Sequence, residues 1–553
     1  MMGRDASKIL ALLLACSMME PLAAEAATPP QNAPSGYNDA GVQLNRTREY
    51  MERERVARQI AEDRAKERTK VEDEQGADQQ EQTAAVKFTP HKIITEKSEV
   101  LSAAEINKIT DAYLGKEITL QDLYKAVAAI NDLYAQKGYL TCKAFLPPQT
   151  IKKGVVHISL VEGKTGNVYV DGNKSTNQEY ITGRVRLQPG KLSNINELNK
   201  DLLRFNATND VQLRIAMHAG KESGTTDYVI SAYEPKRFNV TAYADNAGSK
   251  TSGEWREGLF FTDKSFSGNR DALTLNGIFS KGTKSGSFAY NVPVGRSGTK
   301  LGLQYSANSV HIIDGELEEM DVRGHSAMYG VSLTQPLLVS ENLKTDLALE
   351  YSHQNSKTDF LGIHWVDDTT SGYTASFSMM NYGKSSVIYQ KHGYRFGDWE
   401  NIDGASKNFG KYLFNGLYQK AYAGGQMLTG RLDAQLSGNN YLPSGEQFYI
   451  GGSYSVRGYT ESLLGGDHGL SASLEYSVPL AANTSAFTFF DYGEVYGDSA
   501  FDDHILMSTG IGIKATIAKN FYSSLTLGIP LRRELNGNEE SKTRLHFMFN
   551  GQF

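Results

Sequence analysis

Cysteine is nearly absent from this chain, and so are long apolar runs, an excess of basic residues and clustered histidines. Two cysteines in 553 residues, Cys16 and Cys142, cannot build a disulfide framework. Once an N-terminal export signal is removed, Cys142 stands alone and reads as a small buried hydrophobe. No apolar stretch approaches the ~18 residues that a membrane-spanning helix requires, so a membrane span would have to be made of strands. The 57 Lys and Arg against 63 Asp and Glu give a formal charge of −6, which indicates neither nucleic acid nor a polyanionic partner. The eleven histidines form no His-x-x-x-His or Glu-x-x-His pair in a helical context, so no metal site is indicated. A Gly-x-x-x-x-Gly-Lys-[Ser/Thr] phosphate loop is missing. Gly451-Gly452-Ser453-Tyr454-Ser455 lies between strands, unlike the strand-to-helix turn of a nucleophile elbow. Without a catalytic or cofactor-binding set, an enzyme is not expected.

What is present begins with a signal for export. Arg4 and Lys8 precede an apolar run from Ile9 to Met19, and small residues end at Ala24-Glu25-Ala26, so 1–26 reads as a signal peptide cleaved after Ala26. Leu13-Leu14-Ala15-Cys16 can also be read as a lipoprotein box with Cys16 acylated, but Leu14 fits such a box poorly. The length predicts two to four folding units. Residues 27–40, rich in Pro, Asn, Ala and Ser, read as a flexible leader. From 41 to 75 the chain carries nine basic and nine acidic residues, with Glu49 and Arg53, Glu54 and Arg58, and Glu62 and Lys66 spaced four apart. That spacing predicts a solvated helix, and a helix polar all round bridges domains or sits in a wet cavity. A disordered charged stretch is the other reading. Residues 76–87, rich in Gln and Ala, read as a linker.

Two small α+β modules are predicted next, over 88–162 and 163–235. In the first, Thr119 caps a helix with Asp122 three residues on, Leu123, Val127, Ile130 and Tyr134 share one face, and Gly138 ends it. Strands are predicted at Leu140 to Phe145 and Val155 to Val161. In the second module a strand at Asn167 to Val170 runs into the turn Asp171-Gly172-Asn173. A helix then starts at Asn194 with Glu197 as capping partner, and strands at Val211 to Met217 and Asp227 to Ala232 close the unit.

From 236 to 553 the composition shifts: 39 of 53 glycines and 20 of 30 tyrosines fall here, and two-residue alternation replaces helical periodicity. Ala472, Leu474, Tyr476 and Val478 lie on one side of their segment, Ser471, Ser473, Glu475 and Ser477 on the other. A soluble sandwich alternates too, but segments of ~10 residues with a polar face, interfacial tyrosines and an export signal fit a transmembrane barrel. About sixteen antiparallel strands are predicted, from Phe238 to a last strand over Arg544 to Phe553. Pro293, Pro336 and Pro479 each end an alternating segment, as suits a periplasmic turn. The polar stretches from Thr358 to Ser371 and Glu400 to Asn408 are predicted as outer loops.

One segment carries a more specific signal. Ile450-Gly451-Gly452, followed by Val456-Arg457-Gly458-Tyr459, resembles the inward-folded sixth extracellular loop of the POTRA-barrel transporter superfamily, and specifically of the two-partner secretion transporters of haemolysins and filamentous haemagglutinins. About 30 residues later Phe489-Phe490-Asp491-Tyr492-Gly493 resembles the barrel-wall motif whose Asp receives the loop's Arg. The resemblance implies that 88–162 and 163–235 are POTRA domains in the periplasm, that 41–75 is the barrel-plugging helix, and that the barrel sits in the bacterial outer membrane. It implies translocation of a large secreted exoprotein docked on the POTRA domains, most simply by strand addition to an exposed edge. The terminal strand, with Leu545, Phe547, Phe549 and Phe553 facing lipid, resembles the signal read by outer-membrane insertion machinery. The exoprotein, that machinery and the lipid bilayer are the expected partners, and the chain is expected to act as a monomer. The rival reading is a barrel-protein insertion or assembly factor. On its own chemistry, Arg457 on a loop entering a wet lumen could pair bidentately with Asp491 on the wall, with Gly451, Gly452 and Gly458 permitting the tight path.

Overall fold

The architecture is that of a computed structural model, which describes residues 39–65, 72–73 and 87–553 apart from 316, 440, 498–503, 536–537 and 540–542. The export signal, the leader up to 38 and the linker from 76 to 86 lie outside the described residues.

Helix α1 spans Ala40–Ala65, and the next described segment is not helical. Glu72–Asp73 form a short strand, β1, which corrects the expectation of a helix reaching Gln75. The helix lies in the barrel lumen, and its last described wall contacts are made by Glu62 with Lys264 and by Asp63 with Tyr382.

The first module has strands β2 (Lys92–Thr95), β3 (Cys142–Phe145) and β4 (Val155–Glu162) with helices α2 (Ala103–Thr110) and α3 (Leu120–Gln136). The sheet order is β2-β4-β3, with β2 parallel and β3 antiparallel to β4. Thr119 and Asp122 form the capping box of α3. Ser102 and Glu105 form a second box on α2, a helix that the reading of the sequence passed over. Cys142 is buried, and burial pushes its thiol up to about 11.

The second module contains β5 (Lys164–Asp171), α4 (Gln178–Thr182), α5 (Ile195–Thr208), β6 (Gln212–Ala219) and β7 (Thr225–Tyr233), in the sheet order β1-β6-β7-β5. Asn194 caps α5 by accepting from the backbone of Asn196 and Glu197. The Glu197 carboxylate turns to Lys200 and Arg186. The module sits on the first two periplasmic turns: Asn177 N donates to Gly268 O at 2.7 Å, Arg270 Nε to Asp210 at 2.9 Å, and Arg184 to Gly295 O at 2.6 Å.

Sixteen antiparallel strands, each paired with its neighbour in sequence, close the barrel, with Phe238–Asp245 pairing the last strand, Arg544–Gln552. Leu301, Leu303 and Tyr305 point outward while Gly302 and Ser306 are buried inside, the alternation a lipid-facing wall requires. Pro336 and Pro479 mark bulges near the periplasmic ends of their strands. The stretch from Thr358 to Ser371 is not a loop. Strands Leu343–Phe360 and Ile363–Tyr382 run through it to a turn at Leu361 and Gly362, both at positive φ (49° and 78°). Cross-strand polar pairs, Lys357 with Asp367 at 2.8 Å and Asn355 with Thr369 at 3.0 Å, hold this hairpin. The second predicted loop shrinks to 401–405 between Ser386–Glu400 and Ser406–Ala421.

Candidate functional site in the barrel lumen

The segment 438–467 leaves the rim between the eleventh barrel strand, Met427–Ser437, and the twelfth, His468–Ala481, and turns back inside. It narrows into a hairpin in which Phe448 pairs with Gly466 and Ile450 with Leu464. Its base is pinned by Glu446, which receives Arg395 Nε at 2.9 Å and Lys411 Nζ at 2.7 Å. Asp467 accepts from the backbone of Tyr441 and Leu442.

At the tip, Gly451, Gly452 and Gly458 have φ of +107°, +93° and +95°. A Cβ on Gly452 would stand 1.8 Å from Glu461 Oε2, and one on Gly458 would stand 3.0 Å from the backbone carbon of Gly528. Val456 is buried with Ile450, Tyr459, Leu464, Val495 and Leu506. Gly493 makes that possible, since a Cβ there would be 2.7 Å from Val456 Cγ2. The Tyr459 hydroxyl lies 2.8 Å from the carbonyl oxygens of both Met507 and Arg532.

Arg457 thereby projects to the wall. Its Nε donates to Asp491 Oδ2 at 2.8 Å and its Nη2 to Oδ1 at 2.9 Å, while its backbone N–H reaches Oδ2 at 3.1 Å. Nη1 donates to Glu475 Oε2 at 2.8 Å, and the guanidinium lies 3.5 Å from the ring centroid of Phe489. Ser473 donates to Asp491 Oδ1 at 2.7 Å, and Lys514 pairs with Glu475. Asp491 is wholly buried, so its charge depends on these partners.

The loop residues singled out from the sequence and the wall residues Phe489, Asp491 and Gly493 therefore meet in one contact. Phe553 does not join them. It lies at the periplasmic end of the last strand, exchanging backbone hydrogen bonds with Val240.

Three participants were missed. Glu475 faces its partner strand opposite Phe489, one lumen-side step from the Ser473–Asp491 pair, and its place on the polar side of the alternating segment was a usable signal. His546 accepts from Gly458 N–H at 3.0 Å through Nε2 and meets Ser453 Oγ at 2.8 Å through Nδ1. Glu461 receives Ser453 N–H at 2.8 Å and Arg46 of α1 at 2.6 Å, so the helix is tied to the loop. Nothing local in the sequence marks His546 or Glu461, because both act across the lumen.

Among the described residues neither Glu49 with Arg53 nor Glu54 with Arg58 forms an ion pair, and Lys66 lies outside them. Arg53 goes to Asp433 at 2.8 Å and to the Tyr454 carbonyl, Arg48 to Glu350 at 2.9 Å, and Glu52 is shared between Arg55 on the helix at 2.7 Å and Lys391 on the wall at 3.3 Å. For Arg48 and Arg53 fixed wall carboxylates in a confined lumen outcompete flexible neighbours on the helix.

A family model described as haemolysin secretion/activation protein ShlB/FhaC/HecB matches residues 224–515, and a ShlB-type POTRA domain matches 88–163. Heme/hemopexin transporter protein HuxB of Haemophilus influenzae is 23% identical over 481 residues, 81% of this chain and 84% of that protein. Outer membrane transporter CdiB of Escherichia coli strain 536 is 23% identical over 80% of this chain and 79% of its own length. The solved structure of CdiB from Escherichia coli superposes with a TM-score of 0.66 at 18% identity, covering 95% of this chain and all of that one.

Proposed function

The chain belongs to the haemolysin secretion/activation family, and from that premise we propose a mechanism for its lumen site. As a member it is an outer-membrane β-barrel transporter of two-partner secretion, with periplasmic POTRA modules, that translocates a secreted exoprotein partner. Barrel-protein assembly, the rival reading, is not favoured, since the matching family is one of secretion proteins.

In our reading the inward loop 438–467 is a strut whose register is set by Arg457 on Asp491. The observation that carries this is the bidentate pair, backed by Glu475 and stacked on Phe489. Helix α1, tied to the same loop through Arg46 and Glu461, plugs the path that the exoprotein takes. The exoprotein docks on the POTRA modules. Two edges are poor candidates for strand addition: residues 72–73 already pair with β6, and Asn131 holds both backbone groups of Ala144 on β3. The outer edge of β5 past Thr165, whose two backbone groups are taken by Gly190 and Lys191, runs beside exposed Tyr169 and is the site we assign to docking. No nucleotide is needed in this scheme, because folding of the emerging chain outside draws it through.

Arg457→Ala and Asp491→Ala are each expected to cut secretion severely while the barrel remains inserted, since each leaves a buried charge without its partner at a cost of ~3–5 kcal/mol. The double variant should lose little more than either single one, and the charge swap should recover part of the activity. Release of exoprotein into the medium, scaled to heat-modifiable barrel, is the measurement, and strictly additive losses would remove the direct coupling.

A further inference from the structure

A cavity of about 1970 Å³ opens at the periplasmic mouth of the barrel, between the second POTRA module and the turns 340–344, 382–386 and 420–423. Small-molecule pockets span ~300–1,000 Å³, so the space suits a polymer. Among the described residues its walls carry six basic side chains, Arg64, Lys200, Arg214, Lys344, Lys384 and Lys420, against two acidic ones, Asp63 and Glu341. One of those two, Asp63, is turned to the wall by the Tyr382 hydroxyl at 2.8 Å, while among the cations Lys200 is shared with Glu197 at 2.8 Å and Lys344 with Asp346 at 3.8 Å. The whole chain has a charge of −6, so this concentration of cations is local. Asn196, Asn199, Gln212 and Asn342 add amide groups able to serve the backbone of an unfolded segment.

We propose that this mouth is an anion-selective vestibule that receives an extended, acidic segment of the exoprotein before it enters the lumen. The inference rests on the translocation reading above and adds the charge class of the cargo. The cations come from three bodies at once: α1 through Arg64, the module through Lys200 and Arg214, and the barrel turns through Lys344, Lys384 and Lys420. A lipid headgroup could meet the turns from the bilayer side, but not the module and the lumen helix together. A cleft lined by one sign of charge focuses its field and raises the local concentration of the opposite sign. An acidic segment is therefore captured where α1 ends, at the entrance to the pore.

The test uses the full mature chain in nanodiscs of zwitterionic lipid, with fluorescent peptides of equal length, a Glu-Ser repeat and a Lys-Ser repeat. The Glu-Ser peptide should bind, and its binding should vanish near 1 M salt, where screening acts over ~3 Å. Lys344→Glu, Lys384→Glu and Lys420→Glu combined should weaken it at least tenfold, ~1.4 kcal/mol, and slow exoprotein release. Lys200→Glu, on the module, gives a second readout should the turn variant assemble poorly, with a smaller shift in the same direction. Equal binding of both peptides to the unmodified chain overturns the vestibule while translocation stands. Loss of Glu-Ser binding on adding anionic phosphatidylglycerol would assign the cations to lipid and overturn it too. If the unmodified chain releases no exoprotein at all, the translocation reading fails, and the vestibule's role falls with it.

Discussion

Arg457 is held by two carboxylates, a serine and an aromatic face, and this multiplicity separates it from an exposed loop cation. A planar fork matches that set and an ammonium does not. Arg457→Lys is therefore expected to lose most of the secretion that Arg457→Ala loses, whereas a role for charge alone would leave the Lys variant near wild type in the same release assay. The glycine at 452 is as constrained. Its φ of +93° and the absence of room beside Glu461 mean that Gly452→Ala must displace the carboxylate that binds Ser453 and Arg46. We expect it to free the loop tip, read as faster proteolysis between 451 and 463 in intact cells at unchanged barrel abundance. The motif residues were legible from the sequence because their types and order are unusual. His546 and Glu461 were not, because a histidine or a glutamate on a lumen-facing position looks the same whether or not a loop descends onto it.

Helix α3 and the last barrel strand show which elements a sequence specifies well. The Thr119 and Asp122 box, the buried stripe from Leu123 to Tyr134 and the stop at Gly138 were all readable, since they depend on neighbours within one turn. Thr119→Ala should cost about 1 kcal/mol, measured as faster amide exchange over 120–126 in the full chain. The first module also answers to acid. Hydrogen bonding with Lys137 and Ser102 holds Glu105 down to about 2, and bonds with the Thr119 backbone and Lys125 hold Asp122 down to about 2. For Glu162 burial pushes upward, but bonds from Ser98, Tyr134 and the backbone of Glu99 and Val100 prevail and keep it low. Carboxyls depressed in the folded state stabilise it above their unfolded values of ~4 and lose that contribution as the pH falls toward 2. Amide protection of the first module should therefore decline between roughly pH 4.5 and pH 2, and protection that is flat across that window would rule out these caps as its source. At the far end, the strand Arg544–Gln552 closes the barrel on Phe238–Asp245, and Phe553 continues that pairing while packing edge-on against Phe521. Deleting Phe553 should lower the amount of heat-modifiable barrel before it lowers secretion per molecule. The hairpin tip at Leu361 and Gly362 was misread because polar residues that pair across strands above a membrane look, one strand at a time, like a loop.

For the molecule as a whole, strand count and the order helix, two modules, barrel were legible, because each has its own periodicity, whereas the coupling between them was not. Net charge averages away the basic mouth, and charge spacing along α1 suggested pairing within the helix when Arg48 and Arg53 find their partners on the wall. This bears on how the helix leaves. With 26 residues at ~1.5 Å each it runs roughly 39 Å, longer than a hydrocarbon layer of ~30 Å. It is held at both ends and along its length, by Glu461 on the loop, Glu350, Asp433 and Lys391 on the wall, and Lys264 at a periplasmic turn. Its apolar contacts are three small separate patches, Val56 and Ile60 against Met380, Val387 and Tyr389, Ala40 against Val310, Ile312 and Val322, and Tyr50 among Tyr243, Phe260 and Tyr454. Part-exposed ion pairs contribute ~0–1 kcal/mol each and weaken with salt, so the helix is bound by many weak, screenable contacts and not by a core. Deleting residues 40–65 is expected to raise single-channel conductance and sensitivity to large antibiotics while the barrel still folds, because a wet lumen can hydrate the wall charges left behind. Unmodified protein should show more frequent large openings as salt rises toward 1 M, beyond the gain in bulk conductivity. If the deletion leaves conductance unchanged and abolishes secretion, the helix is instead an arm that engages the exoprotein, with the pairing of Glu72–Asp73 on β6 as its anchor to the second module.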